Sequence, residues 1–201
     1  MTSDLSRRRF IGVAVTSGAT ALLPGGAVAL TDAKARALVD QVVADINAVI
    51  SSEQSLSGMI REFERIFIRY ADVNIIARST LGADARRISA SQMRVFVEAF
   101  RGYVARKYGK RFNEFVGGRI EVKGVREVKS WHEVRSMAYL RGEAPFEVSF
   151  LVSDRSGEDL FFDMVIEGVS LRLSERTEIG AMLDRNNGDF DAMISDLRRA
   201  G

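Results

Sequence analysis

Gly117-Gly118-Arg119-Ile120-Glu121-Val122-Lys123 is where the chain changes its hydrophobic period. From Gly118 onward apolar residues recur at every second position, the signature of a half-buried strand. Ile120, Val122 and Val125 alternate with Glu121 and Lys123. Glu133–Leu140 is a second strand candidate. Phe146, Val148, Phe150 and Val152 alternate with Glu147, Ser149 and Ser153 in a third. Asp154-Arg155-Ser156-Gly157 is a polar turn, and Leu160–Ile166 returns as the fourth strand. Before Gly117 the spacing is three and four. Leu38, Val42, Ile46, Val49 and Ile50 predict a helix from Thr31 or Asp32 to about Ile50. Ile60, Phe63, Phe67 and Tyr70 predict a second over Met59–Tyr70. Asp72 caps a short helix, Val73–Ser79. Ser89 with Gln92 opens a long one through a capping box. Gly109 ends or kinks that helix, a short helical piece follows near Phe112–Phe115, and Arg176–Leu183 and Phe190–Leu197 read as closing helices. Helices first, consecutive strands next and helices last give an α+β fold with an antiparallel sheet of about four strands.

The first 29 residues read separately. Arg7-Arg8-Arg9-Phe10 precedes an uncharged run from Ile11 to Leu23, then Pro24-Gly25-Gly26 and Ala27-Val28-Ala29. A basic start, a short apolar run and an A-x-A exit describe a secretory signal peptide. The arginine pair is of the twin-arginine type. The run is short for a bilayer span. Residues 1–29 are therefore expected to be cleaved, leaving residues 30–201 as a single exported domain.

Removing the signal changes the charge balance. The chain has 29 Lys+Arg and 27 Asp+Glu; the signal holds three arginines and one aspartate, leaving 26 of each. A charge-balanced domain gives no support to nucleic-acid binding. With 0 cysteines, disulfides, thiolate chemistry and cysteine metal sites are excluded. His132 is the only histidine, and it reads as a strand-edge polar residue. The pairs Glu62/Glu64 and Asp189/Asp191 fall on polar helical faces or loops. Arg86-Arg87 and Arg198-Arg199 read as ordinary surface charge. No phosphate-binding glycine loop, metal spacing or nucleophile motif is present, so no metal or cofactor is expected.

The apolar residues are more informative. Phe63, Phe67, Phe96, Phe100, Tyr103, Phe146, Phe150 and Phe162 lie on the predicted inward faces. Such a stripe is ordinary core for any one residue. In an exported, cysteine-free domain without catalytic motifs it also suits an apolar-ligand carrier. With Ile76, Val122, Val134, Val148, Met164, Ile166 and Val169 these residues form the candidate lining of a lipid-binding cavity.

Asp163-Met164-Val165-Ile166-Glu167-Gly168-Val169-Ser170-Leu171 resembles the D-V-x-I-E-G-V-S-L signature of the MlaC family, also called toluene-tolerance proteins. Arg176 stands where that family's following arginine does. Asp72–Gly82 resembles the family's short helix ending in Leu-Gly, and Ser89–Tyr108, with Gln92, Phe96, Phe100 and Tyr108, resembles the helix after it. Ala85 and Asp159 stand near places where tryptophan is common, and Glu175 and Ile179 where tyrosine and phenylalanine are common. The resemblance implies a strongly curved antiparallel sheet wrapped by helices, similar to the NTF2-like class, with acyl chains between sheet and helices. It implies a periplasmic carrier of phospholipid, without enzymatic activity. Its partners would be an outer-membrane lipoprotein complex and an inner-membrane ABC transporter complex with its membrane-anchored substrate-binding subunit. A hopanoid-associated subgroup is similar to the family, so another lipid is an alternative cargo. An NTF2-like enzyme acting on an apolar substrate, with His132 and a carboxylate in the cavity, is another alternative.

Overall fold

Each α-helix starts at a Ser, Thr or Asp whose side chain accepts from a backbone N–H of the first turn, which satisfies donors that the helix itself cannot. In the computed structural model, which describes residues 29–201, these caps set α1 (Asp32–Ile50), α2 (Leu56–Tyr70), α3 (Val73–Thr80), α4 (Ala90–Gly109), α5 (Leu171–Arg185) and α6 (Phe190–Arg199). Short 3-10 helices cover Gly82–Arg86 and Lys110–Asn113. The Ser89–Gln92 capping box is formed. The expected signal segment, apart from Ala29, lies outside the described residues. Two boundaries differ from expectation. Ser55 caps α2 three residues before Met59, and Ser170 caps α5 five residues before Arg176.

The strands β1 (Arg119–Val128), β2 (Trp131–Tyr139), β3 (Phe146–Ser153), β4 (Leu160–Ile166) and β5 (Val169–Ser170) form one sheet in the order β1-β2-β3-β4-β5, every neighbouring pair antiparallel. β5, only two residues long, goes beyond the four strands expected. Glu167 (φ 48) and Gly168 (φ 81) join it to β4. Positive φ at both central residues is the two-residue hairpin geometry that matches strand twist.

The helices are clipped to the sheet at its edges. The Asn47 amide donates to the Ile120 carbonyl at 2.9 Å and accepts from its N–H at 2.8 Å. Between α2 and α3, the Asp72 N–H donates to the Phe161 carbonyl at 2.8 Å. At Gly109 a Cβ would lie 2.8 Å from the Ile60 Cα, so glycine is what lets α4 approach α2. Ile120, Val134, Val148, Phe150, Val152 and Phe161 bury the sheet's inner face under the helices.

A β-bulge corrects one sequence expectation. The β3–β4 register pairs Phe150 with Met164 and Leu151 with Asp163, then Val152 with Phe161. Phe162 is the extra residue, so alternation counted back from Met164 fails one step too far. Phe161 faces inward and meets Phe150 edge-on at 5.6 Å. Phe162 instead packs against Trp131 at 6.1 Å, with the Arg172 guanidinium 5.8 Å from its ring.

Candidate functional site: an apolar cavity with a polar end

Helices and sheet do not close completely on one another. Between them lies a cavity of about 60 Å³. Its helical wall carries Val42 and Ile46 from α1, Phe63, Ile66 and Phe67 from α2, and Phe100, Val104 and Tyr108 from α4. Ile76, Phe112 and Leu171 add to it, and Phe150, Phe161 and Met164 form the sheet side. At the α5 end the lining turns polar, with Asp163, Arg172 and Glu175.

The fifteen residues expected to line a cavity divide into groups. Phe63, Phe67, Ile76, Phe100, Phe150 and Met164 come together on the cavity wall. Phe146 and Ile166 lie in an adjoining groove that shares Phe63, Tyr108, Phe112 and Met164 with it. Phe96, Tyr103, Val134 and Val148 are buried elsewhere in the core, and Val122 packs partly buried against it. Val169 is 58% exposed, beside a groove that also holds Lys107 and Arg111. Phe162 is on the other face of the sheet, as its bulge dictates.

Sequence reasoning missed the polar end because its members lie on no apolar period. Asp163, 3% exposed, organises it. Its Oδ1 accepts from the Met164 N–H at 2.8 Å and the Arg172 N–H at 3.0 Å, and its Oδ2 from the Ser170 hydroxyl at 2.6 Å. Ser170 in turn accepts from the Leu173 N–H. The D…EG…S stretch therefore fixes a tight turn and the first turn of α5. That turn sets Leu171, Arg172 and Glu175 at the cavity.

Glu175 is 2% exposed. Its Oε1 accepts from Tyr108 and, at 2.8 Å, from Lys107 Nζ, which also donates to the Tyr103 hydroxyl at 3.0 Å. Burial pushes the Tyr103 phenol up to about 12, and the neighbouring Glu175 adds to this while the Lys107 hydrogen bond opposes it. Burial and the Glu175 hydrogen bond raise Tyr108 as well. For Lys107, burial lowers the pKa, but the hydrogen bonds to Glu175 and Tyr103 outweigh it and the net shift is upward.

His132 is not a strand-edge residue. It is 7% exposed on the inner face of β2, with Nε2 3.3 Å from the Asp32 carboxylate near the start of α1. It does not line the cavity. Among the described residues no group of three or more His, Cys, Asp and Glu could hold a metal ion, and no helix is long and apolar enough to cross a membrane.

The family profile described as MlaC protein matches residues 36–199. The chain belongs to the MlaC family. That match spans all six helices and the whole sheet. Among solved structures, this MlaC-family chain is similar to a phospholipid-binding protein from Ralstonia solanacearum in complex with a phospholipid, with a TM-score of 0.69 and 18% identity over 82% of this chain and 95% of that one. At that identity the likeness speaks for the fold. No curated protein matches the sequence.

Proposed function

We propose that this MlaC-family protein is a periplasmic lipid-binding shuttle. It carries phospholipid between an outer-membrane lipoprotein complex and an inner-membrane ABC transporter complex with its membrane-anchored substrate-binding subunit. The observation that carries this reading is the apolar cavity between helices and sheet. Family membership and the phospholipid-bound Ralstonia structure of like fold support it. So does the absence of His132 from the cavity lining, which takes away the acid–base pair an enzymatic reading required.

The energetics fit a carrier. A diacyl lipid has about 30 methylenes, and at about 0.8 kcal/mol each their transfer from water is worth roughly 24 kcal/mol. That exceeds the practical ceiling of about 18–21 kcal/mol for non-covalent binding. Water is thus the wrong reference. The chains pass from one apolar medium to another, so net affinity relative to a membrane is small while escape into water is slow. Unloading then requires a docked partner or membrane.

Loading also requires motion. A cavity of about 60 Å³ holds about four water molecules, far less than two acyl chains. The walls from α2 and α5 must move off the sheet. Close-packed cores respond to such demands by discrete rearrangement. The groove lined by Lys107, Tyr108, Arg111, Ile166, Val169, Leu171 and Ser174 shares Tyr108 and Leu171 with the cavity. It gives a phosphate headgroup a way out to water beside two cations.

The test is extraction from vesicles. The exported domain, residues 30–201, is incubated with phosphatidylcholine–phosphatidylglycerol vesicles, separated from them and analysed for bound lipid. Stoichiometric lipid is the expected result; folded protein that repeatedly returns without lipid contradicts the reading.

A further inference from the structure

The polar end of the cavity contains two buried atoms without hydrogen-bond partners. Glu175 Oε2 is one, since Tyr108 and Lys107 both donate to Oε1. Arg172 Nε is the other; it lies 3.5 Å from Asp163 Oδ2 as an ion pair but makes no hydrogen bond. A buried polar atom left unpaired costs on the order of 1–3 kcal/mol, more if charged, so native cores rarely keep one without a reason. Both residues line the same cavity. They stand three apart on α5, so they are neighbours on one helix face, with Cβ atoms about 5–6 Å apart. One atom is an acceptor and the other a donor.

We infer that Glu175 and Arg172 form a subsite for a hydroxyl group of the lipid cargo, the hydroxyl donating to Glu175 Oε2 and accepting from Arg172 Nε–H. This rests on the lipid-carrier reading and narrows its cargo. Charge balance selects the hydroxyl over other donors. Glu175 is paired with Lys107 and Asp163 with Arg172, so the end of the cavity is neutral. A ligand ammonium would add an unbalanced buried charge, and a phosphate placed against Glu175 would meet a like charge. A neutral hydroxyl satisfies both atoms and adds no charge. The site is particular to this chain, because Glu175 stands where tyrosine is common in the family it resembles. The hydroxyl may belong to the apolar body of a neutral lipid or to a glycerol headgroup; the chemistry at Glu175 is the same.

The experiment offers the exported domain phosphatidylcholine vesicles containing equal amounts of a diacylglycerol and its 3-O-methyl ether with identical chains. A parallel set carries phosphatidylglycerol. Bound lipids are read by mass spectrometry. The free hydroxyl is expected to be taken up about tenfold over the ether, the value of one hydrogen bond to a charged group. In Glu175→Met that ratio falls to about one. Preference for diacylglycerol alone places the hydroxyl on a neutral lipid body, and preference for phosphatidylglycerol over phosphatidylcholine places it on a headgroup. Equal uptake of diacylglycerol and ether by the unmodified protein, with no preference for phosphatidylglycerol, overturns the subsite and leaves it a place for ordered water only. A preference that survives in folded Glu175→Met overturns its assignment to Glu175. If no lipid of any kind is bound, it is the carrier reading that fails. The unmodified protein decides between these even if the variant does not fold.

Discussion

Replacing Asp163 with alanine should loosen the end of the domain that builds the polar wall. The carboxylate is 3% exposed and accepts three hydrogen bonds, from the Met164 and Arg172 N–H groups and the Ser170 hydroxyl. Hydrogen bonds to a charged acceptor contribute about 1.5–3 kcal/mol each, but three on one carboxylate do not add fully. Arg172 loses its partner too, although its side chain is 31% exposed and can turn toward water. The expected loss is about 3–5 kcal/mol, that of a buried pair broken on one side. For a domain of this length that is a fall in Tm of about 6–20 °C. Asp163→Asn keeps an oxygen for the two N–H groups and should cost about 1–2 kcal/mol. Chemical denaturation measures both. Hydrogen exchange should show the first turn of α5 and the Glu167-Gly168 turn losing protection ahead of α4. If Asp163→Ala unfolds within about 0.5 kcal/mol of the unmodified protein, the signature is not a structural clamp and this reasoning fails.

Other perturbations separate cavity from core. Val104→Phe fills space at the cavity wall; it should reduce lipid uptake in the vesicle assay while costing no more than about 1–3 kcal/mol of stability. Phe161→Ala should cost about 3–5 kcal/mol, because Phe161 is buried against Phe150, and Phe162→Ala about 1 kcal/mol, as half-buried Phe162 lies on the outer face; equal losses on denaturation would contradict the bulge. Tyr103, Tyr108 and Lys107 all hold their protons more tightly in the folded chain. Above about pH 10 the unfolded chain releases protons that the folded chain keeps, so stability falls by about 1.4 kcal/mol per pH unit for each group, and below about pH 9 these groups contribute no slope. A denaturation series across that range checks the sign.

Legibility in the sequence followed the strength of local signals. Caps were readable because Ser89 with Gln92 and Asp72 each solve a donor problem within four residues. The change of period at Gly117-Gly118 marked the start of the sheet, whose β1 begins at Arg119. Phe162 was misassigned because a bulge is invisible to counting by twos, and only pairing with Val152 reveals that Phe161 turns inward. Tyr103 and Phe96 share a helix face with Phe100, yet only Phe100 reaches the cavity. That distinction depends on which elements fall short of contact, and no single helix encodes it. Glu175 was noticed as a departure from a family pattern. Its role needed the tertiary approach of α4, which brings Lys107 and Tyr108 to the same carboxylate oxygen.

The carrier claim is tested most directly by what the protein holds when taken from its own compartment. The chain is expressed with residues 1–29 intact, purified from the periplasm without detergent, and weighed by native mass spectrometry. The account predicts a mature domain beginning at Leu30 with one lipid bound, released only when vesicles or a membrane partner are supplied. A folded domain recovered repeatedly at the bare polypeptide mass, and unable to gain lipid from vesicles, would contradict it.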